Sequence, residues 1–245
     1  MIFFVFFVFF ASSWFAGPSN QQPSRRLVSE AWPFFTGADT HCGLASMSPV
    51  TVGYTGSVSD GLTRLIARID DAVKLQETGA ITARIKHELE EAIRARTVEL
   101  PERFLRVRPD SYARRLLHRN DDLGYTAVVM TWGPGQRTPL HDHAGIWCVE
   151  GVVEGRMDVT QFDLVEDESA GRRGYRFEAR GCVHAAVGSA GCLIPPFEYH
   201  VLANPLDRPS ITLHIYGGEM STCHVFEPAG DGRYIRRDRA LAYHD

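Results

Sequence analysis

The chain has 245 residues, of which 44% are hydrophobic and 23% are charged, with 22 Gly and 13 Pro. This is ordinary globular usage, so the composition argues against disorder, collagen and coiled coil. The length corresponds to one or two domains and suffices for a sizeable core. Because the net charge is -4 and no basic block occurs, we expect no nucleic-acid partner.

The cysteines and the N-terminal segment bear on location. Five cysteines without CxxC spacing predict neither a disulfide framework nor a zinc ribbon, and they favour a reducing, cytoplasmic location. Residues 2–11 resemble the apolar part of a secretory signal, but no Lys or Arg precedes them and they are too short to cross a bilayer. We therefore expect no stable membrane insertion, and we interpret residues 1–57 as a leader or irregular segment.

Two amphipathic helices are predicted within residues 58–100, because apolar residues recur there at helical spacing. The first set is Leu62, Leu65, Ile66, Ile69 and Val73, and the second is Ile81, Ile85, Leu89 and Ile93. Pro101 and Pro109 then break helical continuity, and residues 112–117 fit either a short helix or an extended piece.

Short runs rich in β-branched and aromatic residues follow Gly124, and Gly, Pro and Asp clusters separate them. They cover residues 125–132, 146–153, 157–164, 175–177, 184–187, 192–194, 200–202, 211–216 and 223–227. No helical crossovers lie between them, so the pattern predicts a mainly β sandwich or barrel at about residues 122–230. Together with the helices it would form a single domain over residues 58–245, of undetermined oligomeric state.

Three histidines indicate a metal site. His141 and His143 form an HxH pair, which presents two imidazoles on one face of an extended strand, and His200 follows later in the chain. Gly135, His141, His143, Cys148 and Gly155 reproduce the spacing of the first cupin motif, with Cys148 in place of its usual glutamate. The segment Pro195-x-Phe197-x-x-His200-x-x-x-Asn204 resembles the second motif, with Phe197 in place of its glycine. This resemblance implies a cupin double-stranded β-helix barrel with metal inside its open mouth.

Three neutral imidazoles without a carboxylate leave a divalent ion at full charge, which suits a thiolate ligand together with oxygen. Zinc stays chemically possible, since three histidines also hold hydrolytic zinc. Asp142 should face away from the metal.

Thr212, His214 and Tyr216 share one face of a single strand and could form a proton relay. With the following segment 220–226, this pattern resembles cysteine dioxygenase. Tyr112-Ala113-Arg114 matches a family segment whose arginine is implied to hold the substrate carboxylate, and Trp132-Gly133 precedes the metal segment as in the family. Cys148 falls where many members carry a cysteine that becomes thioether-linked to the relay tyrosine, here Tyr216. The register around Arg114 is open, because Arg115 is adjacent and Arg119 is near.

Other interpretations of these residues remain open. Arg114 could be a solvated surface charge, and Cys148 could be a small buried hydrophobe. Cys42, Cys182 and Cys192 are interpreted as such small buried residues.

The resemblance implies a non-haem iron(II) thiol dioxygenase that converts L-cysteine to cysteine sulfinic acid with O2. His141, His143 and His200 would bind Fe(II), Arg114 and Tyr112 would bind substrate, and Tyr216, His214, Thr212 and Cys148 would serve catalysis. One rival is the same chemistry on another small thiol acid, such as 3-mercaptopropionate. A rival of another class is a cupin that binds metal without catalysis.

Overall fold

The computed structural model describes residues 59–167, 174–196 and 198–245, so the expectations for residues 1–57 and the substitution at Phe197 fall outside the described residues. Helix α1, Asp60–Val73, is capped at its start by Ser59, whose hydroxyl accepts a hydrogen bond from the Leu62 amide. Such a cap satisfies one of the free amides at a helix start. Among the described residues, no helix combines the length and apolar character needed to span a bilayer.

Helix α2, Thr78–Arg94, packs against α1 through its buried residues, which include Ile85 and Leu89. Both predicted helices therefore exist, and the apolar spacing correctly identified the face that each one buries. A short 3-10 helix, Glu102–Phe104, follows Pro101.

The described part of the chain also contains eleven β-strands. They are β1 (Ala113–Asn120), β2 (Tyr125–Trp132), β3 (Leu140–His141), β4 (Cys148–Glu154), β5 (Arg156–Glu166), β6 (Arg176–Ala186), β7 (Ala190–Leu193), β8 (His200–Ala203), β9 (Ser210–Tyr216), β10 (Thr222–Gly230) and β11 (Arg233–Ala240). The mainly β architecture with preceding helices is confirmed.

The strands extend beyond the predicted β region at both ends. The ambiguous segment before residue 122 is strand β1, and β11 follows residue 230. Both are rich in Arg and carry exposed positions, so their sequences lack the clear apolar alternation that marks a strand. The two runs expected at residues 175–177 and 184–187 belong largely to one strand, β6, because pairing with β5 continues through the charged residues between them.

Two antiparallel sheets result. One has the order β1-β2-β9-β4-β7, and the other has the order β11-β10-β3-β8-β5-β6. The two sheets contribute different residues to one cavity: Arg114 and His214 come from the first, and His141 and Cys223 from the second.

Alternation along the five-stranded sheet separates the core from the site. Val149, Leu213 and Ile215 belong to the apolar cluster that includes both helices. The intervening residues Cys148 and His214 are buried on the other face, since neighbouring residues of a strand point to opposite sides. Packing of the helices on one face thus fixes which side chains line the interior.

Candidate active site

The three predicted metal ligands come together. His141 in β3 is directly opposite His200 in β8, and His143 follows β3 in the chain. Their ring centroids lie 4.4 to 5.5 Å apart, and one ligand atom from each lies within 4.8 Å of the others. All three side chains are buried. The HxH spacing and the second motif therefore meet across a strand pair.

The hydrogen bonds of these rings leave nitrogen atoms available for a metal. His141 Nδ1 lies 3.1 Å from two carbonyl oxygens, of Pro139 and of His200 itself, so Nδ1 is the donor and Nε2 keeps its lone pair. His200 Nδ1 likewise donates to the Glu198 carbonyl. Within the described residues, His200 Nε2 and His143 Nδ1 are buried without a hydrogen-bond partner. Such orphaned atoms in a three-imidazole set fit a divalent ion.

Burial also sets the protonation of this cluster. Desolvation lowers the pKa of His141, and it lowers the pKa of His143 and His200 well below the ordinary value, with mutual repulsion among the rings acting in the same direction. The rings are therefore neutral, which is the form that binds metal.

Asp142 is expected to face away from the metal. Its Oδ2 lies 2.7 Å from His224 Nδ1, and its Oδ1 accepts hydrogen bonds from the amides of Ala144 and His224.

Another group of potential ligands, Asp158, Cys182 and His184, lies at the surface on β5 and β6. His184 Nδ1 is 2.7 Å from Asp158 Oδ1, so a hydrogen bond already explains this contact. Cys182 is exposed, which shows that the expectation of a small buried residue there is wrong. The reason is that β6 is an edge strand, and much of it faces solvent.

A cavity of about 340 Å³, including its mouth, contains most of the predicted site. Of the nine predicted residues, six line it: Tyr112, Arg114, His141, His143, His214 and Tyr216. His200, Thr212 and Cys148 are buried directly behind these, in contact with His141 or His214. The structure therefore brings all nine residues into one neighbourhood.

Arg114 lies in the cavity wall, and only 4% of its surface is exposed. Its guanidinium donates to the carbonyl oxygens of Met220 and Ala242, at 3.2 and 3.5 Å, and lies 5.2 Å from the centre of the Tyr243 ring. Among the described residues, no carboxylate lies within ion-pairing distance of it. A buried cation without an anionic partner is costly, so this arrangement suits an anionic ligand.

The neighbouring arginines lie elsewhere. Arg115 is opposite Val129, which belongs to the helix-facing core, and its Nε donates to the Asp245 carbonyl. Arg119 is paired with Glu219 and is partly exposed. Arg114 is opposite Met130, which lines the cavity. The ambiguity between adjacent arginines is therefore resolved by strand register.

The three side chains of the predicted relay are in contact on β9. The Thr212 hydroxyl lies 2.8 Å from His214 Nε2, and the Tyr216 hydroxyl lies 3.5 Å from His214 Nδ1. Trp132 extends the chain, because its indole N–H donates to Thr212 Oγ1 at 2.9 Å. Burial lowers the pKa of His214 to about 3 and raises the pKa of Tyr216 well above its ordinary value. At neutral pH the imidazole is neutral, and the phenol keeps its proton.

Cys148 is directly opposite Tyr216 across the β4–β9 pair, and its Sγ lies 3.9 Å from His214 Nδ1. Burial raises the pKa of the Cys148 thiol well above its ordinary value. Cys192, by contrast, points to the Thr82 carbonyl on the helix side and is partly buried, close to its expected role. Cys42 lies outside the described residues.

Two parts of this neighbourhood are absent from the sequence-based prediction. Glu150 lies opposite His214, with its Oε2 3.5 Å from His214 Nδ1, and burial raises the pKa of Glu150 to about 8. The C-terminal segment, residues 241–245, contributes Leu241 to the cavity wall and bonds to Arg114. The sequence signal that indicates Glu150 is its spacing: it lies two residues from Cys148 in a strand, so both side chains point to the same face.

The chain is similar in sequence to known proteins. Residues 57–229 match the family described as "Cysteine dioxygenase type I". Cysteine dioxygenase type 1 of Rattus norvegicus and of Mus musculus is 23% identical over 122 residues, which are 47% of this chain and 56% of the relative. The human protein is 22% identical over the same length. The matched segment thus spans about half the length of these curated relatives.

Solved structures with similarity of fold include a Klebsiella pneumoniae protein with a double-stranded β-helix domain, at 17% identity and a TM-score of 0.38. The match covers 49% of this chain and 88% of that one. A Thermus thermophilus protein is 21% identical with a TM-score of 0.35, over 47% of this chain and 90% of that one.

The family match covers both helices, the three histidines and the relay strand, and it agrees with the two-sheet architecture built around them. The cupin fold inferred from the two histidine motifs is confirmed. We conclude that this chain belongs to the cysteine dioxygenase type I family.

Proposed function

We propose that the protein is an iron(II) thiol dioxygenase that oxidises L-cysteine to cysteine sulfinic acid with O2, adding both oxygen atoms to the sulfur. The observation that carries the proposal is Arg114, a buried guanidinium without a carboxylate partner among the described residues, in the same cavity as the histidine cluster. A site that combines metal ligands with an anion-binding group at a short distance suits a small acid with a metal-binding thiol.

His141, His143 and His200 would hold the iron, and their neutral rings are ready to do so. When bound, iron(II) would supply the redox chemistry for O2 and a positive charge that favours the thiolate form of the substrate. A planar guanidinium can bind a carboxylate through two parallel hydrogen bonds, so Arg114 would fix the acid end of the substrate. Tyr112, which packs against Trp132 at 4.6 Å between ring centres, lines the same wall and would add its hydroxyl.

Tyr216 would donate a hydrogen bond toward the reacting end of the substrate. Tyr216 lines the cavity, and its hydroxyl keeps its proton because burial disfavours the phenolate. Orientation by neighbouring groups makes such a donor effective, because it needs little rearrangement during the reaction. His214 and Thr212 supply this orientation.

Free cysteines support the proposed cytoplasmic location. Cys148, Cys182, Cys192 and Cys223 are unpaired, as is typical of a reducing compartment. Such a compartment also holds L-cysteine in its thiol form, which is the form the proposed reaction consumes.

The test combines metal analysis with oxygen consumption. Iron-loaded protein is supplied with L-cysteine, 3-mercaptopropionate or cysteamine, and the molecular mass of the product is measured by mass spectrometry. We expect L-cysteine to be the best substrate and to gain two oxygen atoms. His200→Ala should lose most of the iron and the activity, whereas His184→Ala, at the surface group of ligands, should lose neither.

A preference for 3-mercaptopropionate would reject L-cysteine as the substrate and keep the thiol dioxygenase reaction. Stoichiometric iron binding without oxygen uptake on any thiol would favour the metal-binding cupin instead. Activity that depends on zinc would reject the dioxygenase.

A further inference from the structure

Glu150 is a buried carboxyl group beside the relay that the proposed mechanism does not use. It lies in β4 directly opposite His214 in β9, and its side chain is 11% exposed. Its Oε2 makes no hydrogen bond among the described residues, and its 3.5 Å contact with His214 Nδ1 is longer than an ordinary hydrogen bond. Burying a polar atom without a partner destabilises the fold, and an aliphatic side chain would fill the same space without that cost. A carboxyl group at this place therefore calls for a role other than packing.

The direction of the hydrogen bonds along the relay decides which nitrogen of His214 carries the proton. The Trp132 indole can only donate, so Thr212 Oγ1 accepts from it. The Thr212 hydroxyl has one hydrogen, and His214 Nε2, at 2.8 Å, is the acceptor that the described residues offer to it. Nε2 then carries no proton. Because the ring is neutral, its one proton resides on Nδ1.

Three side chains surround that Nδ1 atom. Glu150 Oε2 and the Tyr216 hydroxyl each lie 3.5 Å from it, and Cys148 Sγ lies 3.9 Å away. A carboxyl group offers an acceptor oxygen whether or not it is protonated, whereas a thiol is a weak acceptor. Two oxygen acceptors therefore lie near the Nδ1 hydrogen, the Tyr216 hydroxyl and Glu150 Oε2, and Glu150 Oε2 is the one that is otherwise buried without a partner among the described residues.

We propose that Glu150 is a positioning residue of the relay: it accepts from His214 Nδ1 and holds the imidazole in the Nδ1–H tautomer. The Tyr216 hydroxyl then faces a nitrogen that already carries a hydrogen, so its own hydrogen turns away from His214 and toward the cavity. This aims the phenol at the bound substrate. The catalytic part of the inference rests on the proposed thiol oxidation, but the tautomer of His214 does not.

Two variants separate positioning from packing. Glu150→Gln keeps an acceptor oxygen and removes the titratable proton, while Glu150→Leu keeps similar volume and removes the acceptor. Glu154→Gln is the matched control, because Glu154 is exposed on the same strand. The Leu variant should fold, since replacing an unpaired buried polar group by an apolar one is often neutral or stabilising.

The decisive measurement is the tautomer of His214, read from the ring nitrogen shifts of full-length, zinc-loaded protein labelled with 15N-histidine, with the His214 signal assigned from a His214→Gln variant. We expect the Nδ1–H form in the native protein, in Glu150→Gln and in Glu154→Gln, and a lower population of it in Glu150→Leu. A native Nε2–H form, or an unchanged tautomer in Glu150→Leu, would overturn the inference even if no thiol proves to be a substrate.

Kinetics of the iron-loaded protein test the consequence. Glu150→Leu should lower kcat about tenfold to a hundredfold, the range seen for outer partners of functional histidines, with KM within about twofold. Glu150→Gln should restore kcat to within about threefold of the native value, because it restores the acceptor. Equal losses in both variants, or a native kcat in Glu150→Leu, would reject a positioning role. Iron content should be unchanged in all three variants.

Discussion

At the scale of single residues, Arg114 shows how burial converts an ordinary side chain into a specific one. On the surface a guanidinium is solvated by water and its charge is screened by dissolved ions. In the cavity wall, by contrast, Arg114 contacts two carbonyl oxygens and the face of the Tyr243 ring. Carbonyl groups satisfy its hydrogens but not its charge. The positive charge of Arg114 is therefore available to attract an anionic group of a ligand in the cavity.

Arg114→Ala should therefore impair the use of L-cysteine far more than the use of cysteamine, which has no carboxylate. A charge-assisted pair contributes roughly 1.5 to 3 kcal/mol, so kcat/KM for L-cysteine should fall on the order of tenfold to a hundredfold relative to cysteamine. Steady-state kinetics on both thiols measure the ratio. Arg119→Ala, at a surface ion pair, is the control and should leave the ratio unchanged. Equal losses on both thiols for Arg114→Ala would contradict carboxylate binding.

The Cys148–Tyr216 pair gives a covalent prediction. The two residues are opposite each other across the strand pair, and both side chains contact His214 Nδ1, so a thioether could join the sulfur to the phenol ring. Its formation breaks the S–H bond and one ring C–H bond and releases two protons and two electrons, which one O2 would take up to form H2O2. Pinning the phenol reduces its rotamer freedom, so the linked form should be the more active one.

Peptide mass spectrometry after turnover should find residues 148 and 216 in one peptide, two hydrogens lighter than its parts. Cys148→Ser should remain partly active because it keeps the phenol, while Tyr216→Phe should lose more activity. If only separate peptides persist after many turnovers, the link does not form, although the metal site would be unaffected.

At the scale of elements, the C-terminal segment following β11 completes the wall that holds Arg114. Strand β1 is at the edge of its sheet, so its outer backbone groups need partners from elsewhere. The His244 amide donates to the Arg114 carbonyl, and His244 Nδ1 accepts from the Arg114 amide. The same segment supplies the Ala242 carbonyl to the guanidinium. The edge is thus closed beside the residue that would bind substrate.

Deleting residues 241–245 should raise KM for L-cysteine about tenfold while changing KM for cysteamine less, because Arg114 loses its backbone and carbonyl partners. Tyr243→Phe is the matched control: it keeps the ring beside Arg114 and removes only the hydroxyl, which donates to Glu219. Steady-state kinetics would show the effect, with far-UV circular dichroism to verify the fold. Similar KM changes for both thiols would indicate that the segment acts on the cavity generally.

At the scale of the whole molecule, the buried carboxyl group links stability to pH. The pKa of Glu150 rises from 4.5 in the unfolded chain to about 8 in the folded protein. The native state therefore holds a proton that the unfolded state releases above about pH 4.5. Its contribution to stability is complete at low pH and is lost as the pH rises through about 8.

Between pH 5.5 and 8.5, the free energy of unfolding of the native protein should fall more than that of Glu150→Gln, by on the order of 2 kcal/mol. Urea unfolding at the two pH values gives the difference. Glu154→Gln should follow the native protein, since Glu154 is exposed. Identical pH dependence in native and Glu150→Gln proteins would show that the carboxyl group is not desolvated in solution.

Local patterns account for what could be predicted. The apolar residues of α1 and α2 recur with the helical period, and most strands alternate or run apolar between turn residues. Thr212, His214 and Tyr216 lie two residues apart on β9, so they share a strand face whatever the strand pairs with. His141 and His143 have the same spacing, although only His141 lies within a strand. These features depend on neighbours within a few residues, which is why composition and spacing alone identify them.

The sequence by itself thus determined the helices, most of the strands and the histidine, threonine and tyrosine residues that come together, along with the family that these motifs resemble. Only the tertiary structure decided that Arg114 rather than Arg115 faces the cavity, that Cys148 meets Tyr216, and that Glu150 meets His214. Each of these depends on pairing between segments distant in sequence. Because side chains alternate along a strand, a shift of one residue in register would exchange the cavity face for the core face, and no local pattern fixes that register.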